Sequence, residues 1–396
     1  MARMPLKNWL PVFGIALGIF GSNTSEYMPM GLLTIISDDM GISQARVGVV
    51  ISCYAWFVAL ASLPLMLAAC KMEMRRLLLG VIAFFAVGQF LTSAATGFYS
   101  LLFGRLCVAC CHALIWSIAT PISSQIVPEE HRPRAICIVI TGAGLAGVVG
   151  QPLGRALALW IGWRATFFSI GVLFIAIFAT LYFIMPALRG KEAVFSYSDL
   201  PKMAHNYRLL TVYPITVIFA TGYFITFNYI EPFWRDFAHI PPAHITIILS
   251  IYGLAALLAA IIYPPLCKNG REKYIVNGLM VATGIAMLLL KHFGTSVTSS
   301  LVFVCICGIT ANSFSIAYQS LTIKLAGAAA SPIAMSLYSG IFNAGIALGA
   351  MFGGIYAAKD AVPNIGFGGG ACVVFSAICS IIAYQILMRS KPEDAQ

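Results

Sequence analysis

The sequence predicts an all-α membrane protein with twelve transmembrane helices in two six-helix pseudo-repeats. Three observations lead there. Of the 396 residues, 60% are hydrophobic and only 10% are charged, against about 25% charged in a soluble protein. Apolar runs long enough to cross a bilayer, about 20 residues each, recur twelve times between polar breaks. Short polar clusters of the first half also return in the second.

The runs fall roughly at 10–36, 45–69, 77–97, 101–126, 135–158, 165–185, 209–233, 245–266, 275–291, 299–325, 332–358 and 366–388. The first, after Trp9, is too long for a signal-peptide core and no small-residue cleavage site closes it, so it reads as a span. Span 1 carries "NTSEYMPMGLL" (23–33). Span 2 carries "YAWFVALASLPLML" (54–67) and ends in "KMEMRR" (71–76). Span 4 holds "HALIWSIA" (112–119), and span 5 the glycine-rich "GAGLAGVVGQPLG" (142–154). "GWRATFF" (162–168) opens span 6. In the second half, span 7 carries "NYIEPF" (228–233), span 8 ends before "KNGREK" (268–273), and span 11 carries "SGIFNAGIALGA" (339–350). The longest polar interruption, 186–208, separates an amino-terminal bundle over 1–185 from a carboxy-terminal bundle over 209–396, with 186–208 as a cytoplasmic linker.

The halves echo each other. "NTSE" and "NYIE" both place Asn and Glu three apart, with Pro29 and Pro232 soon after; a basic cluster follows spans 2 and 8; spans 5 and 11 are both glycine-rich. Such correspondences at an offset of about 200 residues indicate parallel repeats about an axis along the membrane normal. Orientation follows from the basic residues. With the amino terminus cytoplasmic, seventeen of the 24 Lys and Arg lie on that side. Six, namely Arg46, Arg155, Arg164, Arg235, Lys291 and Lys359, lie on the other, and Arg105 sits inside a span. Both termini are therefore expected in the cytoplasm. This bias accounts for the net charge of +10 without a nucleic-acid partner.

Ionisable groups inside spans are costly and mark ion or substrate paths. Glu26, Arg105, His112 and Glu231 are the ones here. At about 1.5 Å of rise per residue, Glu26 lies roughly 15 Å below the outer end of its span. By the same measure Arg105 is about 6 Å down, His112 about 17 Å, and Glu231 only about 3 Å, which suggests an outer vestibule for Glu231. Arg105 and His112 are seven apart and share a helix face that Trp116 continues; Asn23 and Glu26 share another, continued by Met30. The two stripes are expected to face each other. Burial and a nearby guanidinium pull a carboxylate in opposite directions, and His titrates near neutrality. Glu26, with Arg105 and His112, is therefore the expected proton-coupling group; the alternative is a fixed Glu26–Arg105 ion pair.

Small polar ligands are held by a few placed hydrogen-bonding groups and aromatic walls. Asn23, Trp56, Trp116, Asn228, Tyr229, Glu231, Asn312, Gln319 and Asn343 are the substrate-binding candidates, together with Tyr54, Ser315, Ser336 and Ser339. Helix–helix hydrogen bonding is the competing role for each polar one. The eleven cysteines read as buried small hydrophobes, and the adjacent "CCH" at 110–112 points its side chains in different directions, so no metal site is expected.

Taken together, these segments resemble the major facilitator superfamily, in the drug:proton antiporter group with twelve spans. The closer resemblance is to the bacterial sugar efflux transporter family, and it covers essentially the whole chain. It implies an alternating-access exporter in the bacterial inner membrane that moves arabinose-like sugars out as protons move in, with no cofactor and no need of an oligomer. Gly142, Gly147, Gly150, Pro152 and Gly154 correspond to the glycine-rich motif of exporters, expected as a close-packed hinge between span 5 and span 8 or 11. One departure stands out: the loop after span 2 has Cys70 and Glu73 where the superfamily carries Asp and Gly, though Arg75 and Arg76 remain. The same scaffold could serve a multidrug or nucleoside antiporter, whose drug-binding form would be lined more purely by apolar groups. An intramembrane enzyme would need paired aspartates, a Ser–Lys pair or HExxH, and an ATP-driven pump a phosphate-binding loop; neither pattern occurs.

Overall fold

A computed structural model describes residues 6–69, 72–128, 131–186, 206–266 and 271–386. Residues 187–205 of the expected linker lie outside the described residues, as do Cys70, Cys267 and the side chains of Cys137 and Ser336. The described residues contain helices and no strand, and the chain divides into two compact units, Met1–Phe195 and Ser196–Gln396. Nine helical segments among the described residues are long and apolar enough to cross a membrane.

Unit 1 contains α1 (Leu6–Gly31), α2 (Leu33–Met40), α3 (Gln44–Ala69), α4 (Met74–Ser93), α5 (Phe98–Ile126), α6 (Arg132–Leu145), α7 (Gln151–Ile161) and α8 (Trp163–Ile184). Span 1 is thus two helices. Pro29 has no N–H to give to the carbonyl four residues back, and the helix breaks at Leu32. Span 5 is also interrupted. A π-helical turn, Ala146–Gly150, joins α6 to α7 immediately before Pro152, as expected where a proline removes a backbone donor.

Unit 2 contains α9 (Tyr207–Phe227), α10 (Pro242–Leu266), α11 (Glu272–Leu288), α12 (Val297–Ala358) and α13 (Ile365–Ile386). Past Asn228 the chain continues through the short turn Ile230–Pro232 and a π-helical turn, Phe233–Phe237. The sequence places a break between spans 10 and 11, yet no non-helical loop separates them within the 62 residues of α12. A straight helix of that length would be roughly 90 Å long. Phe314 stacks on Phe219, 3.7 Å between centroids, while Gly345 abuts the next residue, Ala220. Residues 31 apart in one helix therefore reach the same level of α9, so α12 folds back on itself. Leu325 and Ala334 both approach the start of α9, through Asn206 and Tyr213, which puts the reversal between them.

Each unit pairs its spans in the same way. In unit 1, α3 packs on α5, α4 on α5 and α8, and α1 on α6–α7 and α8. In unit 2, α10 packs on the first limb of α12, α11 on α12 and α13, and α9 on α12 and α13. The glycine-rich spans carry the closest version of this repeat. A Cβ on Gly142, Gly150 or Gly154 would meet Ala16, Thr24 or Met28 of α1 at 2.5, 2.9 or 2.2 Å. A Cβ on Gly345, Gly349 or Gly353 would meet Ala220, Phe224 or Tyr229 at 2.4, 2.6 or 2.5 Å. Span 5 thus packs these three glycines on span 1 of its own unit. Gly147 lies off this face, with nothing within 4 Å of its Cβ position.

Two clasps tie the helix ends of unit 1. Asp39, at the end of α2, accepts from Arg164 Nη1 and, at 3.1 Å, from Trp163 Nε1. Arg164 also donates to the Ala95 carbonyl between α4 and α5, at 3.0 and 3.3 Å. At the other end, Arg75 Nη2 donates to the Tyr182 carbonyl in the last turn of α8, at 2.7 Å, which suits the negative end of a helix. Arg76 pairs with Glu73 at 3.2 Å, so the residue standing at the missing motif position holds one member of the basic pair.

Two predictions follow from this packing. Gly142→Ala drives a methyl into the Ala16 backbone and lowers stability by about 1–3 kcal/mol, whereas Gly147→Ala is neutral or slightly stabilising; thermal unfolding in detergent separates them. The hydrogen bond from Arg164, ahead of that from Trp163, holds the Asp39 carboxyl below its ordinary 3.8 against the opposing effect of burial. Its stabilisation is present in full above the unfolded value and is lost as pH falls through the lower folded one. The melting-temperature gap between wild type and Asp39→Asn therefore closes on acidification below pH 3.8, and a constant gap would refute the clasp.

Candidate functional site

Five consecutive polar residues, Ser22 to Glu26, lie on α1 in the middle of unit 1. Water is scarce at such depth, so each polar atom needs a protein partner. Helices α4 and α5 supply them to all but Thr24, whose Oγ1 has no hydrogen-bond partner among the described residues. His112 Nδ1 lies 2.9 Å from Ser22 Oγ, and its Nε2 lies 3.3 Å from Glu26 Oε2. The side chains of His112 and Glu26 are 3% and 9% exposed. Arg105 Nη1 donates to Ser25 Oγ at 2.9 Å and Nη2 to the Ser25 carbonyl at 3.0 Å. Gln89 Nε2, from α4, donates to the same Ser25 Oγ at 2.6 Å. Trp116 Nε1 donates to Asn23 Oδ1 at 3.2 Å.

The Ser25 carbonyl is available because Pro29, four residues on, cannot bond to it. One buried guanidinium thus repairs the helix defect that the proline creates. A second repair lies nearly two turns further on: fully buried Arg155 donates to the carbonyl of Gly31, where α1 ends. Arg155, counted by sequence among the outer-side charges, is an interior residue of α7. Aromatic rings complete the shell. The Arg105 Cζ stands 4.6 Å from the centroid of Tyr54 and 5.5 Å from that of Phe167, and the Tyr54 ring is tilted against His112 at 5.9 Å.

The two stripes read from the sequence do meet, and His112 reaches Glu26 as expected. Glu26 is partnered by His112, while Arg105 spends its donors on Ser25, so the fixed Glu26–Arg105 ion pair is not the arrangement found. Ser22, Ser25 and Gln89 were missed. The unbroken polar run in span 1 signals the two serines, and Gln89 is the lone amide in the apolar span 3. In unit 2, Glu231, expected near an outer vestibule, is fully buried. Asn228 is also fully buried, and its amide has no hydrogen-bond partner among the described residues. Other candidates make hydrogen bonds to nearby helix groups. Tyr229 donates to the Ala350 carbonyl at 3.2 Å, Asn312 to the Ala256 carbonyl, and Gln319 to Ser315 Oγ at 2.8 Å. Asn343 Nδ2 donates to the Ser339 carbonyl of its own helix at 3.0 Å. Trp56 is half-buried on α3, and Trp116 is 41% exposed.

The chain's likenesses agree with this architecture. The model of the Major Facilitator Superfamily matches residues 15–201 and 212–396. A "Probable sugar efflux transporter" of Mannheimia succiniciproducens is 32% identical over 375 residues, covering 94% of this chain and 93% of the relative. A protein of the same name from Haemophilus influenzae is 33% identical over 367 residues, covering 92% and 91%. Among solved structures, a bacterial homolog of the human lysosomal transporter Spinster, inward-facing and occupied, superposes with a TM-score of 0.79 at 16% identity, over 99% of this chain and 100% of that one. A nucleoside transporter superposes with a TM-score of 0.75 at 14% identity, over 95% and 100%. At those identities the two structures speak for the fold alone. A repeated all-helical fold, a charged cluster inside an apolar bundle and relatives of this kind lead to one conclusion: the chain is a multi-pass membrane transporter that belongs to the major facilitator superfamily, among relatives named as sugar efflux transporters.

Proposed function

We propose that the protein is a proton-coupled exporter of small, arabinose-like sugars across the bacterial inner membrane, working by alternating access with both termini in the cytoplasm. The observation that carries the coupling is the buried Glu26–His112–Ser22 chain. As a carboxylate, Glu26 accepts from His112 Nε2–H, and Ser22 O–H donates to Nδ1. When Glu26 takes up a proton, it donates to Nε2, the imidazole carries its hydrogen on Nδ1, and Ser22 Oγ accepts. Each partner is a donor in one state and an acceptor in the other, so both protonation states are satisfied without a change of partners.

The sugar reading is supported by the relatives' names and by Asn23 and Trp116, a polar group and a part-exposed aromatic wall joined by a hydrogen bond. Asn228 offers an uncommitted amide in unit 2. The orientation is supported by the basic residues, whose asymmetry increases once Arg155 is counted inside the bundle. The glycine-packed π-turn of span 5 is proposed as the place where unit 1 flexes.

Labelled arabinose is expected to enter inside-out vesicles when their lumen is acidic, and Glu26→Gln is expected to abolish this driven uptake. Uptake surviving in Glu26→Gln assigns the proton elsewhere. Absence of uptake by folded wild-type protein refutes the sugar and redirects the assay to drugs and nucleosides. Trp116→Leu is expected to raise the sugar KM roughly tenfold, about 1.4 kcal/mol, while leaving the dependence on the proton gradient intact.

A further inference from the structure

We propose that Tyr54 is a positioning residue whose ring holds the Arg105 guanidinium on Ser25 and off Glu26, leaving that carboxylate to His112. The contact itself is a matter of structure. Only its consequence for transport rests on the reading of Glu26 as the proton carrier.

The problem it solves is plain from the sequence. Ser25 and Glu26 are consecutive, and Arg105 donates to both the hydroxyl and the carbonyl of Ser25. A guanidinium and a carboxylate in a dry site attract strongly, and the residue that Arg105 bonds is the chain neighbour of Glu26. Such a pair would fix Glu26 as an anion, a form that carries no proton. Two hydrogen bonds to a neutral serine do not by themselves outweigh that attraction. A further interaction must favour the observed position, and the aromatic shell provides it. Cation–π attraction is strongest where the cation is desolvated; Arg105 is 2% exposed, and the Tyr54 ring is its nearest aromatic neighbour, at 4.6 Å. The same ring lies against His112, so it bounds both bases that compete for Glu26.

The ring, not the hydroxyl, is the working part. Tyr54 is 3% exposed and its hydroxyl has no hydrogen-bond partner among the described residues. A phenylalanine would keep the face that Arg105 uses and remove a buried polar group left unsatisfied. An aliphatic residue of similar bulk would keep the packing and lose the quadrupole.

The test uses the full chain in lipid nanodiscs, labelled with 15N-arginine, with the Arg105 signals identified by their loss in Arg105→Lys. In the wild type, the guanidinium protons are expected to show the upfield shift of a group lying over a ring, and Tyr54→Phe should preserve it. Tyr54→Leu, or Tyr54→Met if the leucine variant does not fold, should replace it with the downfield signal of a carboxylate-bound guanidinium. That new signal should vanish when Glu26→Gln is added. The proposal is overturned if the aliphatic variant keeps the wild-type signal, if its new signal survives Glu26→Gln, or if Tyr54→Phe behaves like the aliphatic variant. In vesicles, the aliphatic variant should lose roughly tenfold or more of gradient-driven uptake while sugar counterflow stays within about twofold. A merely structural role would reduce both together. Failure of wild-type uptake would refute the transport reading, while the arginine signals still decide the role of Tyr54.

Discussion

The structure of unit 1 turns on one carbonyl. Pro29 deprives the Ser25 oxygen of its helical donor, and within a lipid-embedded bundle an unsatisfied backbone group costs several kcal/mol. The available donor is Arg105, whose own burial would be costly if its charge were not met by that carbonyl, by the Ser25 hydroxyl and by two aromatic rings. Each liability meets the other's need. Once Arg105 is fixed, the register between α1 and α5 is fixed, and with it the approach of His112, two turns along α5, to Glu26, the neighbour of Ser25. Arg155 repeats the device at the Gly31 carbonyl, joining α7 to the end of the same helix.

The internal repeat shows which part of this arrangement is scaffold and which is chemistry. Glycine-to-helix contacts recur between spans 5 and 1 and between spans 11 and 7 at a nearly constant offset, because close approach of backbones depends only on small residues facing each other. The buried carboxylate recurs, as Glu231, but Arg105 and His112 have no counterpart described in unit 2. Where α4 and α5 of unit 1 converge on Ser25 through Gln89 and Arg105, α11 and the first limb of α12 meet through the neutral pair Thr283 and Thr310, at 2.6 Å. Unit 2 instead fills its interior with stacked rings, among them Phe219, Phe314 and Tyr318. Two copies of one frame have diverged in how they fill the interface between these helices, with a guanidinium and an amide in one and hydroxyls and stacked rings in the other.

Much of this was legible in the sequence, for physical reasons. Span positions follow from hydropathy, since a bilayer permits few alternatives. The stripes of Arg105, His112 and Trp116, and of Asn23 and Glu26, follow from the helical period. The partners did not follow. Periodicity says that two faces are polar, but it does not say that Arg105 bonds the residue before Glu26. That depends on how far α1 and α5 are shifted along each other, and hence on Pro29, whose effect on the Ser25 carbonyl is visible only to someone counting four residues back. The loop-free path of α12 was hidden for the opposite reason: its reversal needs no polar break. Arg155 was misplaced because a basic residue near a span end ordinarily signals a loop, and only the broken end of α1 gives it an interior partner.

The separation of the two hydrogen-bonded chains bears on how such a site can work repeatedly. Arg105 is held by a backbone carbonyl, a hydroxyl and two aromatic rings, none of which itself changes charge when Glu26 is protonated. Ser22, His112 and Glu26 are joined only by groups able to exchange donor and acceptor roles. On the proposed reading of Glu26, a proton enters and leaves the second chain without a change of hydrogen-bond partners in either. Had one arginine served both as the structural tie and as the counter-ion of Glu26, each proton arrival would have removed a buried ion pair and left a charge uncompensated, at a cost of about 3–5 kcal/mol. The neutral Ser25 takes the hydrogen bonds of the scaffold's cation and leaves those of the carboxylate to His112.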